Sequence, residues 1–166
     1  MRLRPATLAD LPAITALINH YISNTPITFD VDPYTPEERL PWFHEHSDGG
    51  RYRMMLAEDE GGLLGYAATG PFRKKGAYDT TAEVGIACAP EATGRGVGTA
   101  LYAALFEAIA AEDLHRLIAA IVQPNAASNA LHERFGFRPV GAMTEVGRKF
   151  DRYWDVLWME KRLSHE

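Results

Sequence analysis

The chain contains one cysteine, Cys88, so it can close no internal disulfide and supply no thiolate cluster. Cys88 stands in an apolar run with no flanking residue that would activate a thiol, which reads as a reduced core position. No stretch approaches the roughly 20 consecutive apolar residues that a membrane-spanning helix requires. The start, MRLRPATLADLP, has charges close behind Met1 and no apolar signal core, which predicts a cytoplasmic protein. The histidines show no ligand spacing: His44 and His46 are two apart and do not share a helix face, and His20 and His115 are isolated. No metal is therefore expected. Lys and Arg total 17 against 22 Asp and Glu, a formal net charge of -5, with no basic arm or stripe. That balance disfavours nucleic acid, whose phosphate backbone is gripped by clustered cations. It leaves room for a phosphate-bearing small molecule, because backbone amides hold phosphates without a net basic protein. Internal repeats and low-complexity tracts are also lacking.

What is present suits one domain over residues 1–166: 46% of residues are apolar and 23% charged. A short strand over residues 2–5 precedes Thr7 and Asp10, a capping-box spacing, and Leu11, Ile14, Leu17 and Ile18 then recur at helical spacing. The predicted helix runs from about Leu8 to Ile22. A second cap, Thr35 with Pro36 and Glu38, opens a short helix to His46, ended by Asp48, Gly49 and Gly50. The long loop between these helices and the short second helix suggest a wall over a pocket. Residues 52–58 and LLGYAATGP read as a hairpin joined by DEGG. After the polar loop FRKKGAYDT comes an apolar strand, TAEVGIACAP, whose central Gly85 signals a bulge or the close approach of a ligand. A helix to about Glu112, the buried strand HRLIAAIV, a short helix in NAASNALHERFGF and two closing strands complete the chain. The order predicts a mixed α/β fold without the regular alternation of a doubly wound sheet.

The sharpest feature lies between the TAEVGIACAP strand and the following helix: Thr93-Gly94-Arg95-Gly96-Val97-Gly98-Thr99. Its glycines let the chain curl tightly and keep side chains clear of a ligand. The first amides of the helix are unpaired, and the helix dipole makes them attractive to an anion. A pyrophosphate is the natural guest, and Arg95 could add a charged bond from the rim. A Walker loop would need Lys after the last glycine, but Thr99 and Ala100 follow Gly98. A dinucleotide fingerprint would need an acidic residue closing a second strand, and Glu112 falls at a helix end instead.

In these residues the chain resembles the GNAT family of N-acetyltransferases. The family signature is Arg or Gln, two residues, Gly, one residue, then Gly or Ala. The window TGRGVG keeps Gly96 and Gly98 but has Thr93 in the first place, which removes one side chain and leaves the backbone cradle. The run NAASNALHERFGF is similar to the family segment that lines the pantetheine arm, with His132 where many members carry a general-acid Tyr. INHYISNTPITF, GPFRKKGAYDTTAE and WDVLWM extend the likeness over almost the whole chain, to the phosphinothricin and methionine sulfone acetyltransferase subgroup. The resemblance implies the GNAT fold, a central mixed sheet flanked by helices. It also implies acetyl-CoA as co-substrate, a small amino-acid-like amine as acceptor, direct transfer in a ternary complex, and a homodimer.

Amine acetylation needs a base for the ammonium proton, a donor for the carbonyl oxygen and an exit for the thiolate. Glu83 among small and apolar neighbours is the expected base, acting directly or through water, and His132 the expected acid. The resemblance implies that Val84, Gly85 and Ile86 present amides to the cofactor and the thioester. Residues 93–99, with Asn125, Ser128 and Asn129, should hold the rest of it. Phe29, Phe72, Tyr78 and Tyr102 are candidate acceptor walls, and Arg73 a candidate clamp for an acidic group. The other readings are the same fold acting on a polyamine or a protein N-terminus, and a non-catalytic acyl-CoA-binding module.

Overall fold

The computed structural model describes residues 1–46 and 49–163. Seven strands form one sheet in the order β1-β2-β3-β4-β5-β7-β6. They are β1 (Arg2–Pro5), β2 (Met54–Asp59), β3 (Gly62–Pro71), β4 (Thr81–Cys88), β5 (Arg116–Val122), β6 (Arg138–Lys149) and β7 (Arg152–Arg162). The helices are α1 (Leu11–Asn24), α2 (Pro36–His44), α3 (Val97–Ala108) and α4 (Ala126–Arg134). The mixed α/β reading holds, and every strand neighbour is antiparallel except β4 and β5. Among the described residues no helix is long and apolar enough to cross a membrane.

The first helix starts later than its pattern predicts. Leu8–Asp10 form a tight 3-10 turn, and the α-helix begins at Leu11. Asp10 accepts from the Thr7 amide at 2.7 Å and the Thr7 hydroxyl at 2.9 Å. Two guanidinium bonds from Arg4, at 2.7 and 2.8 Å, grip the same carboxylate. The second cap forms as expected: the Thr35 amide donates to Glu38 at 2.7 Å, and the Thr35 hydroxyl accepts from the Glu38 amide at 3.3 Å. α2 ends at His44, two residues early, and Asp48 lies outside the described residues. α3 also ends early, at Ala108, and Glu112 beyond it accepts from Arg53 and the Gly50 amide.

α1 and α3 bury Ile14, Leu101 and Leu105 against the inner strands. Burial of such a side chain stabilises by about 1.5–3 kcal/mol. Gly65 on β3 marks a close approach: a Cβ there would sit 2.6 Å from the Ala87 carbonyl oxygen. Gly85, by contrast, makes no bulge, since β3 and β4 pair without a register shift. Its place is open space, with nothing within 4 Å of where a Cβ would be.

One irregularity positions the site. β4 and β5 pair only at Thr81–Glu83 against Arg116–Ile118. Beyond Glu83 they separate, although β4 continues to Cys88 and β5 to Val122. Strand backbones alternate the direction of their polar groups. Every second amide of β4 after Glu83 therefore faces a gap where a neighbouring strand would be.

Candidate active site

Two cavities lie against the separated end of β4, and Ile86 and Ala87 line both. The first, about 440 Å³, is floored by the glycine turn and walled by α4. Gly96 takes φ +78° at the start of α3, a left-handed conformation that L side chains resist. The amides a helix leaves unpaired at its start belong here to Val97, Gly98 and Thr99, all lining the cavity. A Cβ on Gly98 would come 3.2 Å from Leu131, so this glycine also lets α3 and α4 approach. Among the described residues the lining holds one cation, Arg134, which donates to the Thr99 hydroxyl at 3.3 Å, and no carboxylate. A cradle of helix-start amides with one guanidinium suits a pyrophosphate.

The second cavity, about 470 Å³, lies between β3, β4 and the α1–α2 region. Glu83 faces it from the last position at which β4 still pairs with β5. Burial raises its carboxyl above the ordinary 4.5, and the nearby charge of Arg73 offsets part of that rise. Glu83 has no hydrogen-bond or ion-pair partner among the described residues, so its oxygens are free for a ligand proton. Asp30, Glu45, His46 and Arg39 complete the polar lining. The His46 Nδ1 donates to the Trp42 carbonyl at 3.0 Å, and burial lowers its basicity. An anion-binding cavity and a carboxylate-lined cavity thus meet at one splayed strand.

A sequence model described as "Acetyltransferase (GNAT) family" matches residues 14–137. The chain belongs to the GNAT acetyltransferase family. It is 54% identical to a phosphinothricin N-acetyltransferase of Streptomyces coelicolor, over 98% of this chain and 96% of the relative. It is 37% identical to an L-methionine sulfoximine/L-methionine sulfone acetyltransferase of Pseudomonas paraeruginosa, over 98% and 94%. Its fold superposes with TM-score 0.90 on a phosphinothricin acetyltransferase from Sinorhizobium meliloti solved in complex with AcCoA. That pair is 33% identical, over 98% of this chain and 88% of the other. The protein is an N-acetyltransferase with the GNAT fold.

In this GNAT enzyme Thr93, Gly94, Gly96, Val97, Gly98, Thr99, Asn125 and Ser128 line the first cavity. Asn125 also caps α4, its side-chain oxygen accepting from the Ser128 amide at 3.2 Å. Val84 and Gly85 line the second cavity instead. Arg95 turns away to pair with Asp59 at 3.2 Å. Asn129 is spent on a reciprocal amide pair with Gln123, both bonds 3.0 Å.

The expected acid, His132, is 3% exposed and lines neither cavity. Its Nδ1 donates to the Ser128 carbonyl at 2.8 Å, and its Nε2 accepts from the Tyr102 hydroxyl at 2.7 Å. Both nitrogens are occupied, and burial favours the neutral ring. Tyr102, expected as an acceptor wall, is fully buried beneath Phe106 and Phe135. The pair is a core hydrogen bond joining α3 to α4.

The other acceptor candidates stand outside the second cavity as well. Phe29 packs on β6: a Cβ on Gly147 would fall 2.2 Å from its ring. With Lys149 donating to the Thr28 carbonyl at 2.9 Å, this contact anchors the loop that sends Ile27 to one cavity and Asp30 to the other. Phe72 meets Tyr78 and Trp158 edge-on. Tyr78 is exposed, and the Arg73 guanidinium rests 4.5 Å from the Phe72 ring centre. Arg73 therefore reaches Glu83 only through its field. Reading missed Arg39, Trp42 and Arg134. An Arg three residues before a Trp on one helix shares its face, and that spacing was the available signal.

Proposed function

We propose that this enzyme uses acetyl-CoA and acetylates the primary amine of a small amino-acid-like acceptor of the phosphinothricin, methionine sulfone or methionine sulfoximine type. The observation that carries the reading is the splayed end of β4, with an anion-binding cavity on one side and unpartnered Glu83 on the other. The residues of the first cavity fit coenzyme A. The amides of Val97–Thr99 and Arg134 would hold its pyrophosphate, and the apolar Ile86, Ala127 and Leu131 would flank its pantetheine arm. Acetyl-CoA supplies the acetyl group as a thioester when bound.

Glu83 takes the proton from the acceptor ammonium, directly or through a water, and so frees the nitrogen lone pair for attack. The β4 amides that face the gap are placed to donate to the carbonyl oxygen as it gains charge. Holding both reactants on one strand favours direct transfer. His132 and Tyr102 have no part in proton movement. The names of the relatives support the acceptor class, as does a cavity sized for a small molecule. A homodimer belongs to the same reading: edge strand β6 and its turn expose Val140, Met143, Val146 and Phe150.

A second reading, a polyamine acceptor, draws on the three carboxylates of the second cavity, Asp30, Glu45 and Glu83. A thiol-release screen with acetyl-CoA against phosphinothricin, methionine sulfone, methionine sulfoximine and spermidine separates the two. Turnover of the amino-acid analogues is the expected result. Turnover of spermidine alone would overturn the proposal.

A further inference from the structure

The second cavity contains a guanidinium that no carboxylate among the described residues answers. Arg39 lines it from α2, and no carboxylate among the described residues lies within ion-pairing distance of its guanidinium. Its Nε is sealed from solvent and has no hydrogen-bond partner among the described residues, which leaves the outer Nη edge of the guanidinium for a ligand in the cavity. A cation in a cavity wall without a counter-charge costs stability until an anion meets it, so the guanidinium that lines this cavity is placed to receive one. Other arginines near carboxylates pair with them: Arg4 holds Asp10 and Glu58, and Arg53 holds Glu112. Arg39 shares its cavity with Asp30, Glu45 and Glu83 and pairs with none of them.

What holds it apart is aromatic. Its guanidinium carbon lies 3.7 Å from the Trp42 ring centre and 5.2 Å from that of Tyr34. Trp42 is itself braced edge-on by Tyr66 and His46. Asp30, the nearby acid, is occupied by the Tyr34 hydroxyl at 2.9 Å and the Thr28 hydroxyl at 3.2 Å. A guanidinium stacked on a fixed ring keeps its edge donors free and oriented for a two-point bond to a planar anion. The cavity therefore presents carboxylates to an ammonium and one oriented guanidinium to an anion, the complement of an amino-acid zwitterion.

We propose that Arg39 binds the carboxylate of the acceptor and so makes the enzyme selective for amino acids over simple amines. This rests on the amino-acid reading of the same site, and it moves the expected clamp from Arg73 to Arg39. The test compares methionine sulfone with its decarboxylated amine in the wild type, Arg39→Gln, Arg39→Lys and Arg73→Gln. Arg39→Gln should raise KM for methionine sulfone about 10- to 100-fold. KM for the decarboxylated amine and for acetyl-CoA should move less than about twofold, because neither offers the lost partner. Arg39→Lys keeps the charge without the fork and should fall between, which also serves if Arg39→Gln folds poorly. Equal losses on both acceptors would reduce Arg39 to a wall residue and overturn the proposal. So would loss of the discrimination in Arg73→Gln with the Arg39 variants unaffected. A wild type that prefers the decarboxylated amine would instead sink the amino-acid reading itself, and that is visible before any variant is made.

Discussion

Two ionisable residues read as a catalytic pair turn out to have opposite surroundings. Glu83 keeps free oxygens in a cavity, and burial raises its carboxyl. Its folded pKa lies above the ordinary 4.5, so the base form fills, and turnover rises, as pH climbs through that higher value. Glu83→Gln should remove this limb and lower kcat by about 10²- to 10⁴-fold. Calorimetric affinity for acetyl-CoA should stay unchanged. A variant with full activity across pH would remove Glu83 from the chemistry. His132 has both nitrogens committed inside the core. His132→Ala should cost about 2–4 kcal/mol in denaturant unfolding, from the cavity and the stranded Tyr102 hydroxyl. The shape of the pH–rate profile should survive. Loss of a high-pH limb without loss of stability would restore His132 as the acid.

At the scale of elements, the glycine turn and the split strand divide the work of binding. The turn works through backbone, and Gly96 at φ +78°, like Gly94 at φ +77°, takes a conformation that side chains resist. Nothing lies within 4 Å of a Cβ built there, so the penalty is conformational rather than steric. Gly96→Val should cost about 1–3 kcal/mol of local strain. By tilting the amides of Val97–Thr99 it should also weaken acetyl-CoA binding about tenfold or more. Unchanged affinity in a titration would mean that the turn does not hold the pyrophosphate. The split of β4 from β5 has no local signature, because both strands keep strand-like sequences past the point where they part. It is decided by what each packs on: β5 stays paired with β7 to Val122, while β4 follows β3 to Cys88.

For the whole molecule, the first and second strands are tied to the start of α1 by a clamp of Arg4 on Asp10 and Glu58. Arg4 holds the Asp10 carboxyl down at about 2, against an ordinary 3.8. A depressed acid contributes its stability above the unfolded value and loses it as pH falls through the folded one. Asp10→Asn should therefore unfold more easily at neutral pH, by about 1–2 kcal/mol. The gap to the wild type should narrow as pH falls from 3.8 through about 2 and close below that. A gap that persists there would assign the loss to the helix cap rather than to the ion pair. The exposed apolar residues of β6 set a second expectation. Sedimentation should show a dimer, and Met143→Lys with Val146→Glu should yield monomers of unchanged fold. A wild type that sediments as a monomer throughout would end that proposal.

Local order was legible wherever a rule acts within a few residues. The Thr35–Glu38 cap, the glycine turn before α3, Asn125 at the head of α4 and the alternation of the strands all follow from neighbours along the chain. The family motif carried the cofactor cavity for the same reason, since backbone amides at a helix start sit where their own sequence puts them. Side-chain direction was decided only by tertiary packing. Arg95 met Asp59 from the β2–β3 turn, Asn129 met Gln123, Phe29 met the bare backbone of Gly147, and His132 and Tyr102 closed on each other in the core. Polar and aromatic side chains take whichever partner the fold brings within reach, and that partner comes from another element. Sequence by itself determined a mixed α/β acetyltransferase with a phosphate-binding turn and Glu83 on a central strand. Tertiary structure alone decided that β4 would split from β5, that two cavities would meet there, and that Arg39 would face the second with no carboxylate partner among the described residues.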